Sequence, residues 1–240
     1  MQREAIKSFQ QQVEFKHHWD EAKKNSHSQF FEDMILSFIF HILKTKNIFY
    51  IDIGAYDGIT YSNTMMLYKL GARGINIEPM KTPYNTLCAI RKEDINLNIA
   101  INDKPGDFKF FKSQYDMCAS LEEDYIKKFF SDLTTIDTTD IISVECITVH
   151  QLIDRYNLKQ KDVDLLCIDT KGKDKMVIDG FIEERVLPKV ICAETGNGFS
   201  KKNVTFQNWI QSKGYMLHSD TFINSIFVRQ DLAKKYYTIK

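Results

Sequence analysis

The stretch Ile48-Phe49-Tyr50-Ile51-Asp52-Ile53-Gly54-Ala55-Tyr56-Asp57-Gly58-Ile59-Thr60-Tyr61-Ser62-Asn63-Thr64 is an apolar run that breaks into a glycine turn and leads into a helical segment. A short run of Ile, Phe and Tyr without alternation predicts a strand covered on both faces. In open α/β sheets ligands sit beyond the carboxyl ends of the strands, and glycines there let backbone approach the ligand closely. The turn is therefore the first candidate for a nucleotide-like site. A dinucleotide would call for G-x-G-x-x-G, with its pyrophosphate on helix N–H groups, whereas Gly54 and Gly58 lie four apart. Asp52 at the strand end and Asp57 inside the turn would repel a pyrophosphate, and each favours a cation. The ammonium and sulfonium of S-adenosylmethionine suit an acidic strand end of this kind.

A second strand, Gly74-Ile75-Asn76-Ile77-Glu78-Pro79, places Glu78 twenty residues after Gly58. An acid at that separation can take both hydroxyls of a ribose. This holds for NAD and S-adenosylmethionine alike, so Glu78 argues for a nucleoside without identifying it. The bland alternative is that Asp52 caps the turn and Glu78 is a solvated strand end.

Working outward, apolar runs rich in Ile, Val and Phe alternate with helical segments, the βαβ pattern of a mainly parallel sheet covered on both faces. Strands are expected near 48–53, 73–77, 95–101, 163–168, 189–193, 214–218 and 223–228. Helices are expected near 30–44, 62–70, 81–91, 121–130, 148–156, 173–181 and 204–212. The last two strands are separated only by Ser219 to Phe222 and must form an antiparallel hairpin, because a parallel pair needs a long crossover. Asp107–Lys112, after the turn signal Lys104-Pro105-Gly106, and Ile142–Ile147 read as extra strands. They flank a polar insertion over 113–141 that includes the run Thr134 to Thr139. Residues 1–27 read as a helical appendage with a loose stripe of Ile6, Phe9 and Val13, leaving 28–240 as one domain. Capping the domain, pairing with a second copy and closing over a substrate all stay open for the appendage.

A chain of 240 residues with 43% hydrophobic and 27% charged residues is ordinary for one globular α/β domain. Lys and Arg number 32, as do Asp and Glu. No overall field gathers nucleic acid or an anionic membrane, and a small or locally recognised acceptor fits better. The five cysteines form no C-x-x-C pair and have no histidine at ligand spacing, so buried thiols in a reducing cytoplasm are expected and no metal site. His17 and His18 lack further ligands, and His150, opening a helix after Val149, reads as structural. No signal-peptide core and no spanning apolar run is visible, so a cytoplasmic protein without membrane insertion is expected.

The chain resembles the FkbM family of methyltransferases over roughly residues 28 to 228. The resemblance rests on ordered blocks: Ser28-Gln29-Phe30-Phe31-Glu32-Asp33, Asp52 to Gly58, Ser62-Asn63-Thr64, Gly74 to Pro79, Asn98-Ile99-Ala100-Ile101 and Ser120-Leu121. Val144 to Val149, Asp164 to Asp169, Gly172 and Pro188 to Glu194 continue the order. It implies a Rossmann-like class I methyltransferase fold, S-adenosylmethionine as cofactor and O-methylation of a hydroxyl on a sugar or glycan precursor. Asp52, Gly54, Ala55, Asp57, Gly58, Ser62 and Asn63 would then belong to the cofactor loop, Glu78 and Pro79 to the ribose, and Ile101, Asn102 and Ser120 to the adenine side. Relatives commonly carry Asp-x-Glu-Gly after the fourth strand with a Glu two residues on, whereas this chain reads Asp169-Thr170-Lys171-Gly172-Lys173-Asp174.

Methylating an alcohol requires alignment and removal of a proton. Asp169 and Glu194, ending the fourth and fifth strands, are the candidate bases or acceptor anchors, with ordinary strand-end ion pairing as the alternative. Two cations, Lys171 and Lys173, at a helix N-terminus oppose its dipole. They suggest an anionic acceptor, and Lys171 joins the candidate catalytic set. An NAD-dependent oxidoreductase, and a protein that binds the cofactor without turnover, are the competing readings.

Overall fold

A computed structural model describes residues 24–112, 116–129, 141–160, 162–197 and 201–236. Most of the N-terminal appendage, including its apolar stripe and His17 and His18, lies outside the described residues. So does the Thr134–Thr139 run of the insertion.

In chain order the elements are α1 (Glu32–Ile42), β1 (Phe49–Ile53), α2 (Met65–Lys69), β2 (Arg73–Ile77), α3 (Lys81–Ile90), β3 (Ile95–Leu97), β4 (Ala100–Ile101), β5 (Gly106–Phe111), α4 (Glu123–Phe129) and β6 (Ile141–Ile147). Then follow α5 (Val149–Arg155), β7 (Leu165–Ile168), α6 (Asp174–Glu183), β8 (Val190–Glu194), β9 (Gly196–Asn197), β10 (Lys201–Lys202), α7 (Val204–Ser212), β11 (Tyr215–Asp220), β12 (Asn224–Arg229) and α8 (Gln230–Tyr236). Seven strands form one sheet in the order β11-β12-β8-β7-β1-β2-β3. Pairing is parallel from β8 to β3, and β12 runs antiparallel to β8 and β11. The mainly parallel seven-stranded sheet with its C-terminal antiparallel hairpin is the architecture read from the sequence.

Period-two side-chain alternation divides the central strands between two cores. Ile51 and Ile53 of β1, Leu166 and Ile168 of β7, and Ile191 and Ala193 of β8 pack with Leu152 and Ile153 of α5, Val177, Ile178 and Phe181 of α6 and Ile210 of α7. The opposite face, Tyr50, Leu165, Cys167, Val190 and Cys192, packs with Leu36, Ile39 and Phe40 of α1, Leu67 of α2 and Ala233 of α8. Apolar runs are thus continuous in these strands because both faces are covered. Cys167 and Cys192 are buried free thiols and all five cysteines are unbridged.

The strand expected over 95–101 is two strands. β3 joins the main sheet, and β4 pairs with β6 in a second, three-stranded sheet ordered β4-β6-β5. Asn98 makes the break: its Nδ2 donates to the carbonyls of Glu78 and Pro79, each at 2.9 Å, which turns the chain off the main sheet. The two extra strands expected from the sequence are β5 and β6. The short β9–β10 pair and α8 were not expected. Among the described residues no helix is long and apolar enough to cross a membrane.

Candidate functional site

The carboxyl ends of β1, β2, β7 and β8 open onto a cavity of about 330 Å³. Its floor is the glycine turn after β1. The N–H groups of Gly54 and Ala55 both donate to the carbonyl of Ile77, at 2.9 and 3.0 Å, tying the turn to the end of β2. Gly54 has φ +88°, and a Cβ there would stand 2.2 Å from the carbonyl oxygen of Asp169. Only glycine lets β1 and β7 close on each other at this point.

A buried cation that sequence reasoning missed holds the rest of the turn. Arg91, just after α3, is fully buried. Its Nε donates to the Gly58 carbonyl (3.0 Å), Nη2 to Ser62 Oγ (2.9 Å) and Thr64 Oγ1 (3.1 Å), and Nη1 to Tyr50 Oη (2.9 Å). Asp94 lies 3.7 Å from the guanidinium. The planar fork reaches acceptors on both sides of the turn at once, which a lysine could not. An arginine at the end of an amphipathic helix carries no signal that separates it from a solvated one.

Two acids face the cavity from the strand ends. Asp52 is buried and accepts from Thr64 Oγ1 at 2.7 Å. Burial raises its carboxyl above the ordinary range, against the hydrogen bond from Thr64 and the charge of Arg91. A cation placed beside it would restore its charge. Glu78 accepts from the N–H of Met80 at 2.7 Å and of Tyr56 at 3.0 Å, and burial pushes it up to about 7. Each of its oxygens keeps a lone pair for a hydroxyl donor.

At the β7–β8 end stands a three-membered charge cluster. Lys171 Nζ lies 2.6 Å from Asp169 Oδ1 and 2.9 Å from Glu194 Oε2. Lys171 takes the left-handed conformation, φ +54°, and its carbonyl accepts from Ser120 Oγ at 2.6 Å. Burial opposes its charge, but the two carboxylates outweigh burial and hold the ammonium well above its usual range. Burial, and then the charge of Asp169, pushes Glu194 up to about 8. One ammonium between two carboxylates thus leaves one proton that is lost near neutral pH, and it belongs to the cluster as a unit. Lys173 is paired with Glu122. Both lysines at the start of α6 therefore have internal partners. These partners, and not an anionic acceptor, answer the helix dipole, so the expected anionic acceptor loses its basis.

Residues 52–218 match the Methyltransferase FkbM domain. The chain belongs to the FkbM methyltransferase family. Family and fold together support an S-adenosylmethionine-dependent methyltransferase. Among curated proteins none matches the chain. Among solved structures, it is similar to a "putative RNA methyltransferase" from Pyrococcus horikoshii, with 10% identity and a TM-score of 0.44 over 85% of this chain and 88% of that one. It is also similar to a TehB-like SAM-dependent methyltransferase from Corynebacterium glutamicum, with 10% identity and a TM-score of 0.42 over 90% of this chain and 97% of that one. The family match carries the assignment.

Within this FkbM domain the cavity brings together Asp52, Gly54, Ala55, Ser62, Asn63, Glu78, Pro79 and Ile101 with Asp169, Lys171 and Glu194. Four other expected residues are placed elsewhere. Asp57 closes the turn on itself, accepting from the N–H of Ile59 and Thr60 and from Thr60 Oγ1 at 2.6–2.9 Å. Gly58, φ +75°, serves packing: a Cβ would stand 2.6 Å from Leu87 Cδ1. Asn102 is buried, with its N–H on the Ile147 carbonyl. Ser120 acts on the site only through the Lys171 carbonyl. His150 is a surface residue at 2.8 Å from Glu184 and 3.2 Å from Asp154. Further wall residues that sequence reasoning did not single out are Gln29, Tyr61, Met117, Cys118 and Asn224. Of these, Gln29 lies in a block that carries the family resemblance and Tyr61 in the glycine-turn stretch.

The wall fits an adenosyl cofactor with an amino-acid end. The buried Asn63 Oδ1, which has no hydrogen-bond partner, looks for a donor. Asp52 would gain from a cation, Glu78 offers acceptors for a diol, and Met80, Ala100 and Phe110 supply an apolar wall for a flat base.

Proposed function

We propose that this FkbM methyltransferase uses S-adenosylmethionine to methylate a hydroxyl group on a sugar or glycan precursor. The observation that carries the reading is the Asp169–Lys171–Glu194 cluster, held in the same cavity wall as Asp52, Gly54 and Glu78. An adenosyl-binding strand end and a proton-accepting group are thereby brought to one space. The bound cofactor supplies a methyl group on a sulfonium, whose sulfur leaves as a neutral thioether.

Asp52 and Asn63 face the amino-acid end of that cofactor, Glu78 takes the ribose hydroxyls, and Pro79, Met80 and Ile101 border the base. Lys171 fixes the carboxylates of Asp169 and Glu194. Glu194, with an affinity for protons near neutral pH, takes the proton from the acceptor hydroxyl as its oxygen attacks. Asp169, the more exposed of the two, orients that hydroxyl.

An uncharged acceptor is favoured because Lys171 and Lys173 are each satisfied internally, while Tyr61 and Asn224 offer uncharged groups on the wall. With no net charge on the chain, a small molecule or glycan in the cytoplasm suits the reading better than nucleic acid. Calorimetry with S-adenosylhomocysteine and with NAD tests the cofactor, and transfer of a labelled methyl group to a panel of neutral and acidic sugars tests the acceptor. Micromolar S-adenosylhomocysteine binding without NAD binding is expected. The reverse result sinks the methyltransferase reading.

A further inference from the structure

The Ser28–Asp33 block lies before residues 52–218, so the family match gives it no part in the site. In the structure it is a strap fixed by two fully buried carboxylates. Asp33 accepts from Ser26 Oγ (2.6 Å), the His27 N–H (2.6 Å) and Ser28 Oγ (2.8 Å). Glu32 accepts from the Phe30 N–H (2.8 Å) and reaches across to the β11–β12 hairpin, accepting from Thr221 Oγ1 (2.5 Å) and Asn224 Nδ2 (3.1 Å). Phe30 packs on Phe222 of the same hairpin, with ring centroids 5.4 Å apart. A buried carboxylate is tolerated only where hydrogen bonds replace its water, so each of these fixes the local chain path.

Between the two anchors sits Gln29. Ser28 forms a parallel bridge with Tyr61, which carries Gln29 to the level of Ser62, just before α2. Every other hydrogen-bonding side chain from Ser26 to Asp33 has a protein partner. The Gln29 carboxamide has none among the described residues, and Gln29 lines the cavity. Asn63, one residue beyond Ser62 and on the same cavity wall, spends Nδ2 on Cys167 Sγ at 3.5 Å and leaves Oδ1 buried and unpaired among the described residues. Two carboxamides with open valences beside a buried acid make a set of donors and acceptors that matches a zwitterion, an ammonium next to a carboxylate.

We propose that Gln29 is a cofactor-binding residue: its amide donates to the carboxylate of the methionine moiety of S-adenosylmethionine, while Asn63 Oδ1 accepts from the ammonium. Glu32 is the positioning residue that holds Gln29 and the hairpin in register. The proposal rests on the cofactor reading above and adds to it the strap as the fourth wall of the cofactor site.

Calorimetry on the full chain with two probes separates the cases: S-adenosylhomocysteine carries the amino-acid end and 5′-methylthioadenosine lacks it. Gln29→Ala is expected to weaken S-adenosylhomocysteine about tenfold or more, the scale of a hydrogen bond to a charged group, and to leave methylthioadenosine within twofold. Gln29→Glu should weaken S-adenosylhomocysteine further by placing like charges together. Glu32→Gln should reproduce the split more mildly and add nothing on top of Gln29→Ala. Equal losses for both probes would make the strap a structural brace and overturn the proposal. So would unchanged S-adenosylhomocysteine affinity in Gln29→Ala. If the wild-type chain binds neither probe, the cofactor reading itself fails, and the proposal with it.

Discussion

Replacing Arg91 by Met keeps the bulk of the side chain and removes its charge. Four hydrogen bonds at 2.9–3.1 Å are lost, from Gly58, Ser62, Thr64 and Tyr50. The buried Asp94 side chain loses the guanidinium 3.7 Å from it, while it still accepts from the Gly74 N–H at 2.9 Å, Asn76 Nδ2 at 3.0 Å and Tyr50 Oη. Breaking a buried ion pair by removing one partner costs about 3–5 kcal/mol. For a domain of this size that corresponds to a fall in Tm of about 6–20 °C. Because three of the four acceptors belong to the segment from Gly58 to Thr64, the loss should fall on the cofactor turn as well as on global stability. Thermal melting and S-adenosylhomocysteine calorimetry on the same variant read both. Arg91→Lys, which keeps the charge and loses the fork, should recover part of the stability and less of the affinity. A Tm within about 2 °C of wild type with unchanged affinity would refute the view that a buried guanidinium organises the turn.

Gly54→Ala brings a Cβ to 2.2 Å from the Asp169 carbonyl at φ +88°. It should cost about 2–4 kcal/mol from backbone strain and overpacking together, read by denaturant melts, and a neutral outcome would show that β1 and β7 are less closely joined. Glu194 has its carboxyl raised from 4.5 to about 8. Stability tied to its protonated form is therefore complete below about pH 4.5 and lost as pH rises toward 8. The melting temperature of the free protein should fall across that window while methyl transfer rises, since a base must be unprotonated. Glu194→Gln should flatten its share of the stability slope and abolish the rise in rate; parallel slopes in stability and rate would exclude Glu194 as the base. Lys171→Met leaves Asp169 and Glu194 without their ammonium and should cost about 3 kcal/mol, at the low end because Asp169 is partly exposed. The deficit should be larger at pH 9 than at pH 5, where Glu194 is protonated. A deficit that does not change with pH would mean that Lys171 contributes by packing alone.

The sheet was legible because its determinants are local. Continuous apolar strands, a glycine turn and a four-residue hairpin connection each act within a short window. What the sequence hid depends on partners far along the chain. The strand over 95–101 splits because Asn98 finds the carbonyls of Glu78 and Pro79, and no pattern within the strand announces that. Asp57 and Gly58 look like ligand residues by position, yet one satisfies its own turn and the other makes room for Leu87. Arg91 and Gln29, charged and polar residues of ordinary appearance, become informative only when the turn and the strap are folded around them.

Lys171 shows the same limit from the other side. As a departure from the acid common in relatives, it reads as damage to the site or as a hook for an anionic acceptor. In the fold, position 171 lies between Asp169 and Glu194, and a third carboxylate there would stand among like charges in a buried setting. Lysine instead sets a cation between them. Its left-handed backbone, with the carbonyl held by Ser120, directs the ammonium to both acids. The departure therefore places a positive charge between the two carboxylates at the ends of β7 and β8 and holds both of them. The pH dependence of Lys171→Met tests that placement directly, because only a charge placed between the acids makes its loss matter more as Glu194 ionises.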